Sequence, residues 1–340
     1  MKHTDSRRLP RVDLSVPVFG LGCAQLGGLF QACTDAQADE LVQAAWRAGV
    51  RFFDTAPYYG YTLSERRLGA ALLRRPRNGF ILSTKAGRLM WPDDGVRPGD
   101  DGFANPLPFK PHFDYSYGGV LRCFDDSLQR MGQARIDILF IHDIGRVTHG
   151  ERHAHHWRQL TQGGGFRALE TLRREGRVRA VGLGVNEWQA VHAALQEFDL
   201  DISMLAGRYT LLEQESLSPL LDESLKRGHA IVAAGPFNSG VLAGASTFNY
   251  RQAPAEVMQR VQALQAVCRE FDVPLPAAAL QFPLAHPAVV TCMAGAHDAA
   301  QLRQNIAWLE QPLPDALWLA LRERGLIDER APLPLQGERR

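Results

Sequence analysis

The sequence of 340 residues contains no run of about 18 apolar residues, so no transmembrane helix is expected. Its first stretch, MKHTDSRRLPRVDLSVPVFG, lacks the apolar centre of a secretory leader, so no signal peptide is expected. Cysteine is scarce. Cys23, Cys33, Cys123, Cys268 and Cys292 form an odd, scattered set without CxxC, which excludes a dense disulfide framework and points to reduced thiols in the cytoplasm. Net charge is nearly absent, with 38 Lys and Arg against 37 Asp and Glu, so no global field directs the chain to nucleic acid or to an anionic membrane. There is no internal repeat and no interdomain linker. A single domain over residues 1–340 is expected, with a core from about 15 to 325 and a poorly ordered tail, APLPLQGERR, at 331–340. Composition does not set an oligomeric state. What is present, 45% hydrophobic and 22% charged residues, suits a globular protein with a large core.

Short apolar runs alternate with helical patterns along the whole chain. The runs are VPVFGLG, VRFFD, GFILSTK, IDILFIHD, VRAVGLGV, DISMLAG, HAIVAAG and AVVTCMAG. Between them lie amphipathic segments such as TDAQADELVQAAWRAG, in which Leu41, Ala44, Ala45 and Ala48 share a face, Thr34 or Asp35 caps the start and Gly49 ends it. Helices are also expected over Ser64–Leu73, Pro254–Phe271 and Pro276–Ala285. Strands that are apolar throughout, each followed by a helix, imply a parallel sheet. An open doubly wound sheet should carry GxGxxG after its first strand, whereas GLGCAQLGG has another spacing. A closed (β/α)8 TIM barrel fits better, because VRFFD, GFILSTK and IDILFIH all end in a chemically capable residue and barrels collect their chemistry at strand C-termini. Two long segments, 88–114 and 146–165, read as loops at that C-terminal face.

Asp54, Tyr59, Lys85 and His142 lie on or just beyond three successive strand ends. A tyrosine titrates at about 10 and is a poor proton carrier near neutrality. An ammonium beside it would stabilise the phenolate and lower that value. A buried lysine needs a counter-charge, which Asp54 supplies. A histidine can orient an oxygen or pass a proton. Together these groups form a proton-transfer device at an oxygen-bearing carbon, the half of hydride chemistry that a nicotinamide does not perform.

The stretches FFDTAPYYGYTLSERRLG, STKAG and ILFIHD resemble the aldo-keto reductase superfamily, and the resemblance runs from about Val18 to the closing helices. It implies a barrel with an extended nicotinamide cofactor across its C-terminal face and Asp54, Tyr59, Lys85 and His142 as catalytic tetrad. It also implies cofactor contacts from Gly22, Cys23 and Ala24 at the first strand end, and from Asn186 at the carboxamide. Pro236, Phe237, Asn238, Ser239 and Gly240 stand in the pyrophosphate loop. Gly295, Ala296, His297, Gln301, Gln304 and Asn305 stand around the adenosine. Three positions depart from the family. Gly184 and Val185 precede Asn186 where the family has Ser, Ala206 stands for its Gln, and Ala234 for the Tyr that stacks on nicotinamide. Gly295 and Gln301 replace basic residues that hold the 2′-phosphate of NADP, while His297 and Arg303 remain nearby, so NAD is expected to be preferred with NADP possible. DYSYGGVLRCFDDSLQRMG, RYTLLEQ and GPFNSGVLAG are similar to the bacterial D-threo-aldose 1-dehydrogenases, also called L-fucose dehydrogenases, and to pyridoxal 4-dehydrogenases of that branch. That implies oxidation of the anomeric carbon of an aldose such as L-fucose. Alternatives are the same chemistry on pyridoxal or another small alcohol or aldehyde, and a non-catalytic cofactor-sensing barrel. Trp91, His112, Phe113 and Trp157 in the long segments are candidate substrate contacts.

Each residue also has a plainer reading. A strand-end Asp is commonly a cap. Tyr58 sits beside Tyr59 and is expected to pack or to line the pocket. His153, His155 and His156 in RHAHHW have poor metal spacing and read as surface or substrate-loop residues. Cys23 reads as a small packing residue, and Trp308 and Trp318 as core.

Overall fold

The computed structural model describes residues 1–336, and in it eight strands close into a parallel barrel. They are β1 Phe19–Gly22, β2 Phe52–Asp54, β3 Ile81–Ala86, β4 Ile138–His142, β5 Ala180–Val185, β6 Ile202–Ala206, β7 Ala230–Ala234 and β8 Val289–Gly295. Each pairs in parallel with its neighbours in chain order, and β8 pairs back onto β1. This is the expected (β/α)8 barrel.

Side chains alternate across a strand, so parity along each strand decides which residues face the barrel axis. Phe52, Ile138, Phe140, Ile202, Met204, Val232, Val290 and Met293 pack together inside the barrel. Phe53, Leu82, Leu139, Ile141, Val181, Leu183, Leu205 and Ile231 pack outward against the helices. Asp54 has the parity of Phe52, His142 that of Phe140, and Lys85 that of Ile81, which borders the inner cluster. The pattern that builds the core therefore also aims the three polar strand ends inward.

Other expectations hold in detail. Thr34 caps the helix Asp35–Ala48, its hydroxyl accepting from Gln37 N at 3.2 Å while Gln37 Oε1 accepts from Thr34 N at 2.8 Å. The helix over Pro276–Ala285 is shorter than expected. It spans Leu275–Gln281 and gives way to a 3-10 turn, Phe282–Ala285, where Pro283 has no N–H to continue the ladder.

The two long segments are structured. Residues 88–114 contain an antiparallel hairpin of Arg88–Pro92 against Phe109–Phe113. Residues 146–165 contain the helix His153–Leu160, so the RHAHHW histidines lie on a helix, and His156 is buried rather than at the surface. A second hairpin, Ser6–Arg8 with Ser15–Pro17, closes the opposite end of the barrel. Its Leu9, Leu14 and Val16 join the inner cluster, so the packed core begins before residue 15. The tail also departs from expectation through Gln336: Ala331 and Leu333 are buried, and Gln336 N donates to Asp315 Oδ1 at 2.9 Å. Residues 337–340 of the expected loose tail lie outside the described residues.

Candidate active site

The ends of β2, β3 and β4 bring Asp54, Lys85 and His142 to one bowl at the C-terminal mouth, and the β2–α loop adds Tyr59. Lys85 Nζ is the hub. It donates to Asp54 Oδ2 at 2.6 Å, to Thr55 O at 2.9 Å and to Tyr59 Oη at 3.0 Å. Ser83 Oγ donates to the other carboxylate oxygen, Asp54 Oδ1, at 2.7 Å. The ring of His142 stands edge-on to that of Tyr59, with centroids 6.0 Å apart. All four groups expected in the tetrad are thus brought together.

Tyr59 is placed by glycine. Gly60 follows it at φ 62°, a left-handed conformation that favours glycine, and a Cβ there would lie 2.4 Å from Gly27 O. A Cβ on Gly27 would in turn lie 2.6 Å from the Tyr59 carbonyl carbon. The two backbones touch because neither residue has a side chain. Gly184 serves Lys85 similarly: a Cβ there would press on Lys85 Cε at 3.2 Å. The absence of a side chain at Gly184 leaves room for the lysine stem.

Burial works against the Lys85 ammonium, but Asp54 and then Tyr59 outweigh it and hold its pKa above the ordinary value. Lys85 is therefore charged. Burial raises the Tyr59 hydroxyl, with Lys85 pulling it down and Asp54 pushing it up. The expectation of a lowered tyrosine is corrected here: the lysine acts in the expected direction, but loss of solvent around the ring outweighs it. His142 lies well below the usual histidine range, first through burial and then through Arg88 and Lys85, so it is a neutral imidazole. Cys23 is a buried packing residue whose thiol burial pushes up, as its plain reading held, and its N donates to Asp54 O at 2.9 Å.

The expected cofactor residues follow the C-terminal ends of β1, β5, β7 and β8. Gly22 lies in register between Asp54 on β2 and Gly295 on β8, and Ala24 opens a short turn after Cys23. Asn186, after β5, donates from Nδ2 to Asp143 Oδ1 at 3.1 Å, and its carbonyl accepts from Arg208 Nε at 2.6 Å. Pro236, Phe237, Asn238, Ser239 and Gly240 follow β7, with positive φ at Asn238, Ser239 and Gly240. The side chain of Asn238 is used within the fold, donating to Gly207 O at 3.1 Å and accepting from Thr210 Oγ1 at 2.6 Å. Phe237 meets Trp308 edge-on.

Beyond β8, Ala296 is buried and Gln304 exposed, and Gln301 Oε1 accepts from His297 N at 2.7 Å. Asn305 Nδ2 donates to Gly295 O at 3.1 Å. Two buried acceptors here, Gln25 Oε1 and Asn305 Oδ1, have no partner, and a Cβ on Gly295 would strike Gln25. Unpaired buried polar atoms beside a position without a side chain fit an extended polar group such as the expected dinucleotide.

The four candidate substrate residues separate. Trp91 and His112 stack on each other at 3.8 Å on the hairpin arm. Trp157 packs beside His153. Phe113 is nearest the bowl, since Arg88 lies over the rings of both Tyr58 and Phe113, at 4.1 and 5.5 Å.

Three residues of the bowl were missed from sequence. Asp143, directly after His142, accepts from Arg88 Nη2 at 2.5 Å and lies 3.5 Å from His142 Nε2. Arg88 opens the hairpin arm. Tyr250 reaches from the segment after β7, its hydroxyl 3.5 Å from Asn186 Oδ1 and its ring 6.2 Å from that of Phe30. The only sequence signal for Asp143 was its place in the run ILFIHD; Tyr250 carried none.

With this geometry in view, comparison with known proteins is direct. The family model described as Aldo/keto reductase family matches residues 18–324. A pyridoxal 4-dehydrogenase of Microbacterium luteolum is 49% identical over 340 residues, covering 96% of this chain and 99% of that protein. A D-threo-aldose 1-dehydrogenase of a Pseudomonas species is 41% identical over 323 residues, covering 92% and 95%. Among solved structures, the holo form of the aldo-keto reductase AKR11C1 from Bacillus halodurans superposes with a TM-score of 0.72 at 25% identity, covering 96% and 97%.

Proposed function

The chain belongs to the aldo/keto reductase family, and from that premise we propose that this oxidoreductase converts a cyclic hemiacetal to a lactone, with Tyr59 as proton acceptor. The observation that carries the reading is Lys85 Nζ joining Asp54 to Tyr59 Oη, opposite a neutral His142. A bound nicotinamide supplies the hydride acceptor. The chain supplies the rest. His142 orients the hemiacetal hydroxyl by a hydrogen bond, and Tyr59 as phenolate takes its proton while the C–O bond becomes C=O. Lys85 stabilises that phenolate, and Asp54 keeps Lys85 charged. Gly22, Gly295, Gln25 and Asn305 would hold the dinucleotide.

The hemiacetal reading unites two relatives. An aldose closes its aldehyde onto its own hydroxyl, and pyridoxal closes its 4-formyl group onto its 5-hydroxymethyl group. Either ring gives a lactone on oxidation. L-fucose is the first sugar to test and pyridoxal the alternative, favoured by the higher identity. NAD is the preferred cofactor in this reading. Gly295 and Gln301 offer no cation for a 2′-phosphate, and Arg303 shares its recess with Glu40 and Asp298.

The test is formation of reduced nicotinamide from L-fucose, other aldoses and pyridoxal with NAD or NADP. Activity with NAD on at least one hemiacetal is expected. Because burial holds Tyr59 protonated, the oxidation rate should rise with pH. Tyr59→Phe should lose turnover and keep cofactor binding. Full activity in Tyr59→Phe would refute the mechanism, and a cofactor-binding protein inactive on the whole panel would favour a sensing barrel.

A further inference from the structure

We infer that Arg88 and Asp143 form a neutral recognition pair for a substrate hydroxyl flanking the reacting carbon. The inference rests on the hemiacetal reading above. Asp143 is held in the bowl from three directions. Its Oδ2 accepts from Arg88 Nη2 at 2.5 Å, its Oδ1 accepts from Asn186 Nδ2 at 3.1 Å, and its N donates to Gly184 O at 3.0 Å. It adopts φ 44°, a left-handed backbone that favours glycine and is kept in another residue where the surroundings enforce it. As a helix cap or a surface charge, Asp143 would need none of this.

The position is specific. Asp143 Oδ2 lies 3.5 Å from His142 Nε2, on the ring that faces Tyr59. An oxygen bound between Tyr59 Oη and His142 therefore leaves its neighbouring substituent beside this carboxylate. A carboxylate offers about four lone-pair sites. Two are filled, by Arg88 and Asn186. On the other partner, Arg88 Nε is buried with no hydrogen-bond partner. The pair thus presents its free acceptor capacity through Asp143, while Arg88 Nε is enclosed. Its charges cancel, so an ionic substituent would have to break the pair to bind. A hydroxyl, which both donates and accepts, fits without doing so. Both hemiacetals considered above carry one: the 2-hydroxyl of an aldose and the 3-hydroxyl of pyridoxal.

The experiment compares kcat/KM for L-fucose with 2-deoxy-L-fucose, and for pyridoxal with 3-O-methylpyridoxal. Sites that hydrogen-bond a substrate hydroxyl reject analogues lacking it, so the wild-type chain should prefer the parent it oxidises by ~100-fold or more. The double variant Arg88→Gln/Asp143→Asn removes both charges together and leaves neither stranded. Its preference should fall to ~5-fold or less, mainly through loss of rate on the parent. Asp143→Asn alone carries the same comparison should the double variant not fold. A variant that loses rate equally on both members of a pair, keeping its preference, assigns the two residues a structural role and overturns the inference. A wild-type chain that oxidises parent and analogue equally also overturns it, with the hemiacetal reading intact. A wild-type chain inactive on these four compounds and on the other aldoses of the panel removes that reading and this inference with it.

Discussion

Lys85 shows how one side chain can be both structural and chemical. Its ammonium is buried, a position that is costly unless paired, and three oxygens within 3.0 Å compensate it. Asp54→Asn keeps the shape and removes the counter-charge. Breaking a buried pair in this way costs about 3–5 kcal/mol, which a shift in the urea midpoint would report; an unchanged midpoint would mean that Thr55 and Tyr59 suffice. Asp54, Lys85 and His142 were legible in the sequence because each interrupts an apolar strand at its end, and Tyr59 because the loop after Asp54 has a distinctive order. Asp143 was not legible. Its importance comes from a positive φ and from partners on two other strand ends, Arg88 and Asn186, neither of which is near in sequence. The ionisation of Tyr59 was half legible: the lysine's effect follows from charge, but the opposing loss of solvent depends on how deeply the ring is packed.

At the level of elements, the contact between Gly27 and Gly60 ties the turn after β1 to the loop that carries Tyr59. Gly60→Ala combines an unfavourable φ with a backbone collision at 2.4 Å. The loop would have to shift, and a displacement of about 1 Å at a reacting group can cost ~100-fold in rate. We expect kcat to fall by that order while the secondary structure, read by circular dichroism, is retained; a wild-type kcat would show that the loop adapts. The barrel strands were legible as short apolar runs, most of them followed by a helical pattern. The hairpin arm was not, because RLMWP and FKPHF pair across a Pro- and Gly-rich span, and such non-local pairing leaves no local periodicity. The helix His153–Leu160 was hidden by its composition, since four of its eight residues are histidine or arginine and its apolar face is narrow.

Across the whole molecule, several histidines are folded away in neutral form. Burial lowers His149 and His229 to about 3 and His286 to about 4, against about 6.5 for a free histidine. Their folded values are depressed, so the unfolded chain takes up protons first as the pH falls. Stability is therefore full above pH ~6.5 and declines steadily toward the folded values. The urea midpoint should be lower at pH 5 than at pH 7, and equal midpoints would contradict this account. His229 bridges Ser203 and Ser224 at 2.9 and 3.0 Å, near the end closed by the N-terminal hairpin, so acid should loosen that end. The mouth and the sealed end are thus governed by different titrating groups. The buried ammonium at the mouth has a practical side as well. The chain has only four lysines, and Lys2, Lys110 and Lys226 are exposed while Lys85 is enclosed. Among the lysines, amine-directed coupling to a bead or a dye would attach at those three outer points, leaving the one lysine on which the proposed proton transfer depends beyond the reagent's reach.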